Sequence, residues 1–256
     1  MERFKDRLVA KGFDQRSGID YTDTFSPVIK PSTIRIILAL AVHFDWPIRQ
    51  LDVSNAFLQG HLNEEVYMEQ PLRFIDKKRP DMVCKLHKAI YGLKQAPRAW
   101  FTRLSNFLFE LRFKGSLVDI SLFIYIHGTI QIYMLVYVDD ILITGTHPRV
   151  IYSIIAQLQS KFPLKDLGTL SFFLGIQVTK DALGLHACQT KCISKLLHKT
   201  HMTEAKPSKT PCTSGSKLSK HDGDLLKDPT IYRQVVGALQ YCTLTRPNKA
   251  YSVNQL

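Results

Sequence analysis

An apolar run that meets two adjacent carboxylates is the feature that most constrains the fold of this chain. Residues 132–138 are all apolar or aromatic, Asp139 and Asp140 follow, and apolar residues resume at Ile141. The β-branched and aromatic residues of both arms favour strands, and Asp-Asp is acceptable in a turn. The pattern predicts a β-hairpin with its carboxylates at the tip. Because neither arm alternates apolar with polar residues, we expect a sheet covered on both faces.

Two like charges at the mouth of an apolar core are costly unless a positive group neutralises them. A divalent cation is the usual solution, and oxygen-only ligands favour Mg²⁺. The alternative is a solvated turn, which is the commoner role of an isolated Asp-Asp pair. A second stretch, residues 51–60, favours the metal interpretation. There Asp52 ends a short strand-like run, and Phe57 lies five residues beyond it.

The composition of the chain indicates a class of binding partner. The 256 residues include 34 Lys and Arg against 22 Asp and Glu, a net charge of +12. Such an excess indicates a polyanion partner, nucleic acid first, although a basic soluble protein without such a partner is also compatible with it. The sequence contains no apolar run of membrane-spanning length and no apolar signal region. Its five cysteines predict reduced thiols and an intracellular location, cytoplasmic or nuclear.

Hydrophobic periodicity and the positions of Pro, Gly and polar clusters predict the structure of most remaining segments. We expect helices from a Ser32 N-cap to Phe44, from Pro97 onward, and over residues 150–162, 190–200 and 230–243. A further hairpin is predicted over residues 169–179 and 183–187. Residues 61–81 are expected to form a mobile excursion, whose cations at 77–79 either contact phosphate or are simply solvated. Residues 206–229 have the composition of a linker.

Other polar groups allow two interpretations each. Lys94, Gln95 and Arg98 precede or open a helix, where backbone amides and cations favour phosphate. Lys191, Lys195 and Lys199 form a stripe that could follow a duplex backbone or be a solvated helix face. Zinc binding is a further hypothesis of low specificity; its ligands would be Cys188, Cys192, His198 and His201.

Several motifs, in one order, resemble the reverse transcriptase of copia-type retrotransposons. They are RLVAKGF (7–13), GIDY (18–21), TFSPV (24–28), LDVSNAFL (51–58), EVYM (65–68), YGLKQAPRAW (91–100) and LVYVDDIL (135–142). The stretches SLFI (121–124), FFLGIQV (172–178) and VGALQY (236–241) extend the likeness over nearly the whole chain.

The resemblance implies an α+β fold of the right-hand polymerase type, with a ferredoxin-like antiparallel palm sheet covered by helices. Residues 1–50 would form partial fingers and the first palm helix. Residues 51–180 would form the palm, with a fingers insertion at about 60–88. Residues 181–256 would form a thumb or connection segment.

The implied activity is RNA-directed DNA polymerisation, a two-metal transfer of dNTPs onto a primer. Asp52, Asp139 and Asp140 would be catalytic and, with the Val53 carbonyl, would hold two Mg²⁺ ions, Mn²⁺ being possible. One ion would activate the primer 3′-hydroxyl and the other would hold the triphosphate. The implied dNTP-binding residues are Lys5, Arg7, Ala56, Phe57 and Gln95. Of these, Lys5 and Arg7 would lie on a fingers strand, and Phe57 would be a steric gate against ribose. Lys165 is a candidate for the lysine near the leaving group. The implied template and primer contacts are Lys94, Arg98, Tyr137, Phe173, Leu174, Gly175, Lys191, Lys195 and Lys199, with 172–178 as the primer grip.

The partners implied are an RNA template, a DNA primer or duplex, and dNTPs, with no membrane. Relative to the family, the chain lacks upstream fingers strands and the RNase H, protease and integrase regions, which predicts a truncated copy. Asp6, Arg73 and Lys249 are also atypical. Two alternatives stay open: a catalytically silent relic that only binds nucleic acid, and a metal-dependent phosphodiesterase.

Overall fold

The computed structural model describes residues 7–24, 27–181, 184–208, 210 and 226–255. The chain divides into two compact units, Met1–Leu170 and Ser171–Leu256. The helices are α1 (Pro31–His43), α2 (Ala96–Glu110), α3 (Pro148–Lys161), α4 (Thr190–Lys199), α5 (Thr230–Cys242) and α6 (Ala250–Asn254). The strands are β1 (Ile48–Val53), β2 (His61–Glu69), β3 (Val83–Lys88), β4 (Lys114–Gly115), β5 (Leu122–His127), β6 (Ile130–Tyr137), β7 (Asp140–Gly145), β8 (Leu164–Thr169), β9 (Phe172–Phe173), β10 (Ile176–Asp181) and β11 (Gly184–Cys188). The sheets are antiparallel, so the expected mixed class with antiparallel sheets is confirmed.

A six-stranded sheet in the order β4-β5-β6-β7-β1-β8 forms the first unit's framework. On one face, Met134 and Ile141 join a core to which α2 contributes Trp100 and α3 contributes Leu158. Leu135, on the opposite face of the same strand, is also fully buried. Both faces of β6 are therefore covered, as the unbroken apolar run predicts.

The first helix begins differently from its prediction. Lys30, not Ser32, is the N-cap residue, and Pro31 occupies the first turn, where its fixed φ and missing N–H are tolerated. The Lys30 N–H donates to Asp119 Oδ2 at 2.9 Å, which ties the start of α1 to a distant loop. At the other end the helix stops at His43, and Phe44 is its C-cap.

The predicted mobile excursion is wrong in its first half. Residues 61–69 form β2, which pairs with β3 as a two-stranded antiparallel sheet. Its alternating burial leaves Val66 in a small core with Ala89, Leu93 and Ala96. Only residues 70–82 remain irregular, because Pro71 and Pro80 interrupt strand pairing there.

The predicted hairpin of residues 169–179 with 183–187 is confirmed in the pairing of β10 with β11, but its first arm is not one strand, because three strands share that region. β8 ends at Thr169 and pairs with β1 in the six-stranded sheet. In the second unit β9 and β10 pair, and β10 pairs in turn with β11. The β9–β10 turn is Leu174-Gly175, and both residues have positive φ, as a type I′ hairpin turn requires.

The helices predicted in the second unit are confirmed as α4 and α5, while α6 was not predicted. Most of the predicted linker lies outside the described residues, as does Cys212. Among the helices in the described ranges, none combines the length and apolarity needed to cross a membrane.

Candidate active site

The hairpin β6–β7 brings two of the predicted carboxylates onto one row of the sheet. Tyr137 pairs with Asp140 across the hairpin, so Val138 and Asp139 form the turn. On its other side Asp140 pairs directly with Asp52 of β1. Directly opposed residues in an antiparallel pair project from the same face. Asp52 and Asp140 are therefore neighbours, and Asp139 lies exposed one residue away.

The turn is held at both of its residues. Val138 has φ +54°, a left-handed conformation that is unfavourable for a β-branched side chain. The buried Trp100 Nε1–H donates to the Val138 carbonyl at 2.6 Å, and the Val53 N–H donates to the Asp139 carbonyl at 2.8 Å. These two bonds, one from α2 and one from β1, fix where the aspartates emerge from the sheet.

Burial and like charge act together on Asp140. Burial, then the charge of Asp139 and then that of Asp52, raises the pKa of Asp140 to about 6, against a smaller opposing effect of a hydrogen bond from Gln50. Neighbouring carboxylates raise a pKa only where they are close and poorly screened. The shift therefore identifies the three aspartates as one electrostatic cluster.

Lys165 completes the row. It pairs with Asp52 across β1–β8, on the side opposite Asp140, and is exposed. Across the three neighbouring strands β7, β1 and β8, the side chains of Asp140, Asp52 and Lys165 therefore follow one another on one face of the sheet. A cation thus adjoins the carboxylates in the strand register.

The described residues contain no group of three or more His, Cys, Asp or Glu side chains placed to hold a metal ion. That finding covers the aspartate cluster as its side chains stand, and it leaves the predicted zinc site without support. The Cys192 thiol instead adjoins Cys242. Burial, followed by the Cys192 thiol, raises the pKa of Cys242.

The predicted gate residue lies on a short 3-10 helix, Ala56–Gln59, directly after β1. Asn55 enters this helix with φ +54°, and Ala56 is buried at 2% exposure. The partly buried Phe57 ring meets the Tyr91 ring edge-on, with centroids 5.2 Å apart. Tyr91 therefore limits the movement of the Phe57 ring.

The groups at the start of α2 are engaged by residues 15–23. Gln95, only 2% exposed, accepts from Gln15 Nε2 and donates to the Asp20 carbonyl, both at 3.0 Å. Lys94 Nζ donates to the Gln15 carbonyl at 3.1 Å and lies 5.0 Å from the Tyr21 ring centroid. Arg98 pairs with Asp23 at 2.8 Å. Because this docking has no sequence periodicity, motif reasoning missed Gln15, Tyr21 and Asp23.

The predicted cationic fingers strand is not observed in the described residues. Arg7 is exposed and irregular, and the nearest pairing is a single bridge between Val9 and Tyr91. The Arg7 guanidinium lies 5.0 Å from the Tyr91 ring centroid, beside the ring that contacts Phe57. Lys5 lies outside the described residues.

A cavity of about 590 Å³ beside α2 shows further polar groups that the sequence reasoning missed. Arg103 and Lys161 line it together with Gln95 and Arg98. The Arg103 guanidinium donates to the Gln59 carbonyl, at the end of the 3-10 helix that carries Phe57. The only sequence signal for Arg103 was its place on α2, one helical turn beyond the apolar Ala99.

The remaining predicted residues lie apart in the chain. Tyr137 is partly buried at the hairpin end, in the first unit. In the second unit, Phe173 is buried, while Leu174 and Gly175 form the β9–β10 turn, which packs on Tyr241. Lys191, Lys195 and Lys199 are exposed along α4, as the stripe predicts.

Comparison with known proteins identifies relatives that match the part of the chain containing these residues. The reverse transcriptase (RNA-dependent DNA polymerase) family matches residues 1–214. The retrovirus-related Pol polyprotein from transposon RE1 of Arabidopsis thaliana is 54% identical over 256 residues, 100% of this chain and 18% of that protein. The corresponding polyprotein from transposon TNT 1-94 of Nicotiana tabacum is 40% identical over 98% of this chain and 20% of its own length. The putative transposon Ty5-1 protein YCL074W of Saccharomyces cerevisiae is 31% identical over 80% of this chain and 68% of its own length.

The chain spans about a fifth of the plant polyproteins that it matches. No solved structure matches it. The family match covers most of the chain, including all three aspartates, Phe57 and Gln95. The chain therefore belongs to the reverse transcriptase (RNA-dependent DNA polymerase) family and is similar to the Pol polyproteins of plant copia-type transposons.

Proposed function

We propose that this chain is an RNA-directed DNA polymerase domain that adds dNTPs to a primer. The observation that carries the proposal is the register of β1 with β7, which sets Asp52 opposite Asp140 and leaves Asp139 on the adjoining turn. A family match alone would not place these side chains together. Nucleotidyl transfer needs mainly positioned charge, and three clustered carboxylates supply it.

The chemistry of this donor set fits Mg²⁺. All three side chains offer hard carboxylate oxygens, and the pKa of Asp140 is raised by burial and then by repulsion from Asp139 and Asp52, which a cation would relieve. Asp52, Asp139 and Asp140 would hold the ions, with the Val53 carbonyl as a further oxygen. When bound, the ions would neutralise phosphate charge and activate the primer hydroxyl.

The protein's own contribution is position. Trp100 and Val53 hold the turn from two sides, so the carboxylates present a fixed row to the substrate. The Phe57 ring, whose movement Tyr91 limits, would exclude a ribose 2′-hydroxyl and so favour dNTPs. Lys165, beside Asp52, would face the departing pyrophosphate. We further propose that residues 1–50 form partial fingers and the first palm helix, that residues 51–180 form the palm with the primer grip at 172–178, and that residues 181–256 form the thumb or connection segment.

Primer extension tests this proposal. The chain is given a labelled DNA primer on an RNA template with dNTPs and Mg²⁺, beside Asp139→Asn and Asp140→Asn. Glu204→Gln, which changes an exposed carboxylate remote in sequence, is the matched control. Extension by the native chain and by Glu204→Gln, lost in both aspartate variants, is expected. A primer that becomes shorter would instead indicate phosphodiesterase chemistry.

One observation weakens the polymerase proposal relative to a second candidate, a chain that binds nucleic acid through other cations, such as those of α4, without extending a primer. Lys94, Gln95 and Arg98, the groups expected to contact template and nucleotide, are all engaged by residues 15–23. Salt-sensitive binding of primer–template, measured by fluorescence anisotropy, with no extension at any Mg²⁺ concentration would support this candidate over the polymerase.

A further inference from the structure

The loop of residues 70–82, between β2 and β3, carries apolar side chains that the protein leaves in solvent. Phe74 is 81% exposed and Leu72 is 91% exposed. Two such exposed apolar side chains, two residues apart in a charged loop, make this loop a candidate interaction surface. None of the site residues described above lies in this loop.

The loop has a defined shape, despite its exposure. Gln70 closes it: its Nε2 donates to the carbonyls of Arg79 (2.9 Å) and Met82 (2.7 Å), and its Oε1 accepts from the Asp76 N–H (2.7 Å). The Phe74 N–H donates to the Pro71 carbonyl at 2.7 Å. These bonds hold the backbone on both sides of Phe74, so a partner would meet a ring on a preformed support.

Four cations lie in the same loop as the exposed ring. Residues 70–82 contain Arg73, Lys77, Lys78 and Arg79 against Asp76 and Asp81. Asp76 is occupied within the loop, since it accepts from the Lys78 N–H at 2.9 Å and lies 3.8 Å from Arg79 Nε. Among the described residues, the side chains of Arg73, Lys77 and Lys78 form no ion pair, and all three are exposed.

We propose that this loop binds single-stranded nucleic acid, with a base stacked on Phe74 and phosphates held by Arg73, Lys77 and Lys78. An aromatic face beside a run of cations is the combination that single-stranded binding sites use. A protein interface would be depleted in lysine at its centre. The inference rests on the proposed function for its biological setting, because a polymerase of this family copies a single strand.

The test measures the affinity of the full chain for a labelled oligouridine of about 12 nucleotides by anisotropy. We expect Phe74→Ala and Phe74→Leu to bind roughly tenfold more weakly and Phe74→Trp to bind at least as tightly as the native chain. Leu117→Ala, which removes a fully exposed apolar group outside the loop, is the matched control and should change affinity less than about twofold. Because Phe74 is exposed, unfolding is not expected, and urea titration checks this.

Salt dependence tests the cations separately. Lys77→Gln with Lys78→Gln should reduce the slope of log affinity against log salt by about 1.4, since each phosphate contact contributes about 0.7 for a single strand. Arg112→Gln with Lys114→Gln, exposed cations beyond α2, should leave the slope unchanged.

A different binding partner for this loop would give a different set of measurements. Unaltered RNA affinity in Phe74→Ala overturns the inference, as does full retention in Phe74→Leu, which would indicate general apolar contact. Loss in Phe74→Ala of binding to phosphatidylserine vesicles, or of a concentration-dependent dimer, with RNA affinity intact, would assign the loop to a membrane or to a second copy.

Primer extension by the native chain, run in parallel, separates the two proposals. Extension together with unaltered RNA affinity in Phe74→Ala rejects the loop inference alone. RNA binding that depends on Phe74, without extension, upholds the loop and rejects the polymerase.

Discussion

Asp140 is the residue at which burial and like charge meet. The raised pKa, about 6, means that the folded protein favours the protonated carboxyl. Below the ordinary pKa of an aspartate this preference costs nothing. As the pH rises through 6, the folded state must carry a charge that the unfolded chain carries more easily, and stability is lost.

We therefore expect Asp140→Asn to be more stable than the native chain at pH 8, in EDTA, by about 1 kcal/mol. The full shift would give about 3 kcal/mol, which is reduced here because Asp140 is only partly buried. The difference should disappear near pH 4. Urea unfolding across this range measures the difference, with Glu204→Gln, which changes an exposed carboxylate, as the control. A difference that is constant with pH would contradict the account.

Trp100 permits a second test at the residue scale. Trp100→Phe keeps an aromatic ring in the core but removes the donor to the Val138 carbonyl. The expected result is a loss of about 1–3 kcal/mol in the free energy of unfolding, because a partly buried acceptor is left unpaired. We also expect roughly tenfold slower nucleotide incorporation, since the carboxylates lose their support.

Trp46→Phe is the matched control for Trp100, because Trp46 stacks on Phe44 and Tyr133 and donates no hydrogen bond to the hairpin turn. Its incorporation rate should equal that of the native chain. Equal slowing in both variants would show that the turn bond does not position the site.

The identities of the aspartates were predictable, but their arrangement was not. Acidic residues that end apolar runs stand out in the sequence, which is why Asp52, Asp139 and Asp140 were found. The pairing of Asp52 with Asp140 was not readable, because strands buried on both faces carry no alternation that fixes register. The docking of Gln15 on Gln95 was equally hidden, since it depends on hydrogen bonds between segments 80 residues apart.

At the scale of elements, the start of α2 depends on two glycines. Gly92 has φ +90°, and a Cβ there would lie 2.1 Å from the Ala10 carbonyl oxygen. A Cβ on Gly12 would lie 1.8 Å from the Gly92 carbonyl oxygen. The N-terminal segment can approach the loop before α2 only because neither residue has a side chain.

Gly92→Ala should therefore detach residues 10–23 from α2 and cost more than about 2 kcal/mol of stability. Hydrogen exchange over this segment should accelerate. Gly115→Ala is the matched control, since its Cβ would meet nothing closer than the Phe109 ring at 4.0 Å. Unchanged exchange in Gly92→Ala would show that the approach is not needed.

Element boundaries followed from sequence where proline or periodicity marked them. Pro97 predicted the start of α2, and the apolar stripes predicted α3 and α4. β2 was missed because its glutamates and the prolines that follow it are typical of a loop, whereas its pairing with β3 is a non-local contact.

At the scale of the whole molecule, the net charge of +12 favours a polyanion without naming where it binds. The exposed lysines of α4 are our proposed duplex contacts. Replacing Lys191, Lys195 and Lys199 by glutamine should lower the salt slope of duplex binding by about 2–3, at about 0.9 per phosphate contact.

Anisotropy titrations over a range of salt concentrations give this slope, with the triple variant Arg35→Gln, Arg112→Gln and Lys114→Gln as the charge-matched control. A slope lowered equally in both variants would show that the α4 lysines contribute only to the general field of the protein. Composition could predict the kind of partner, but only the fold shows which cations share a surface.

The most direct test of the central claim is the single-turnover rate of the first dNTP addition to a DNA primer on an RNA template, measured against Mg²⁺. We predict measurable addition by the native chain and by Glu204→Gln, with rates at least about a thousandfold lower in Asp52→Asn and Asp140→Asn. Comparable rates in these two variants and the native chain would contradict the claim that the row of carboxylates across β1 and β7 is the catalytic centre.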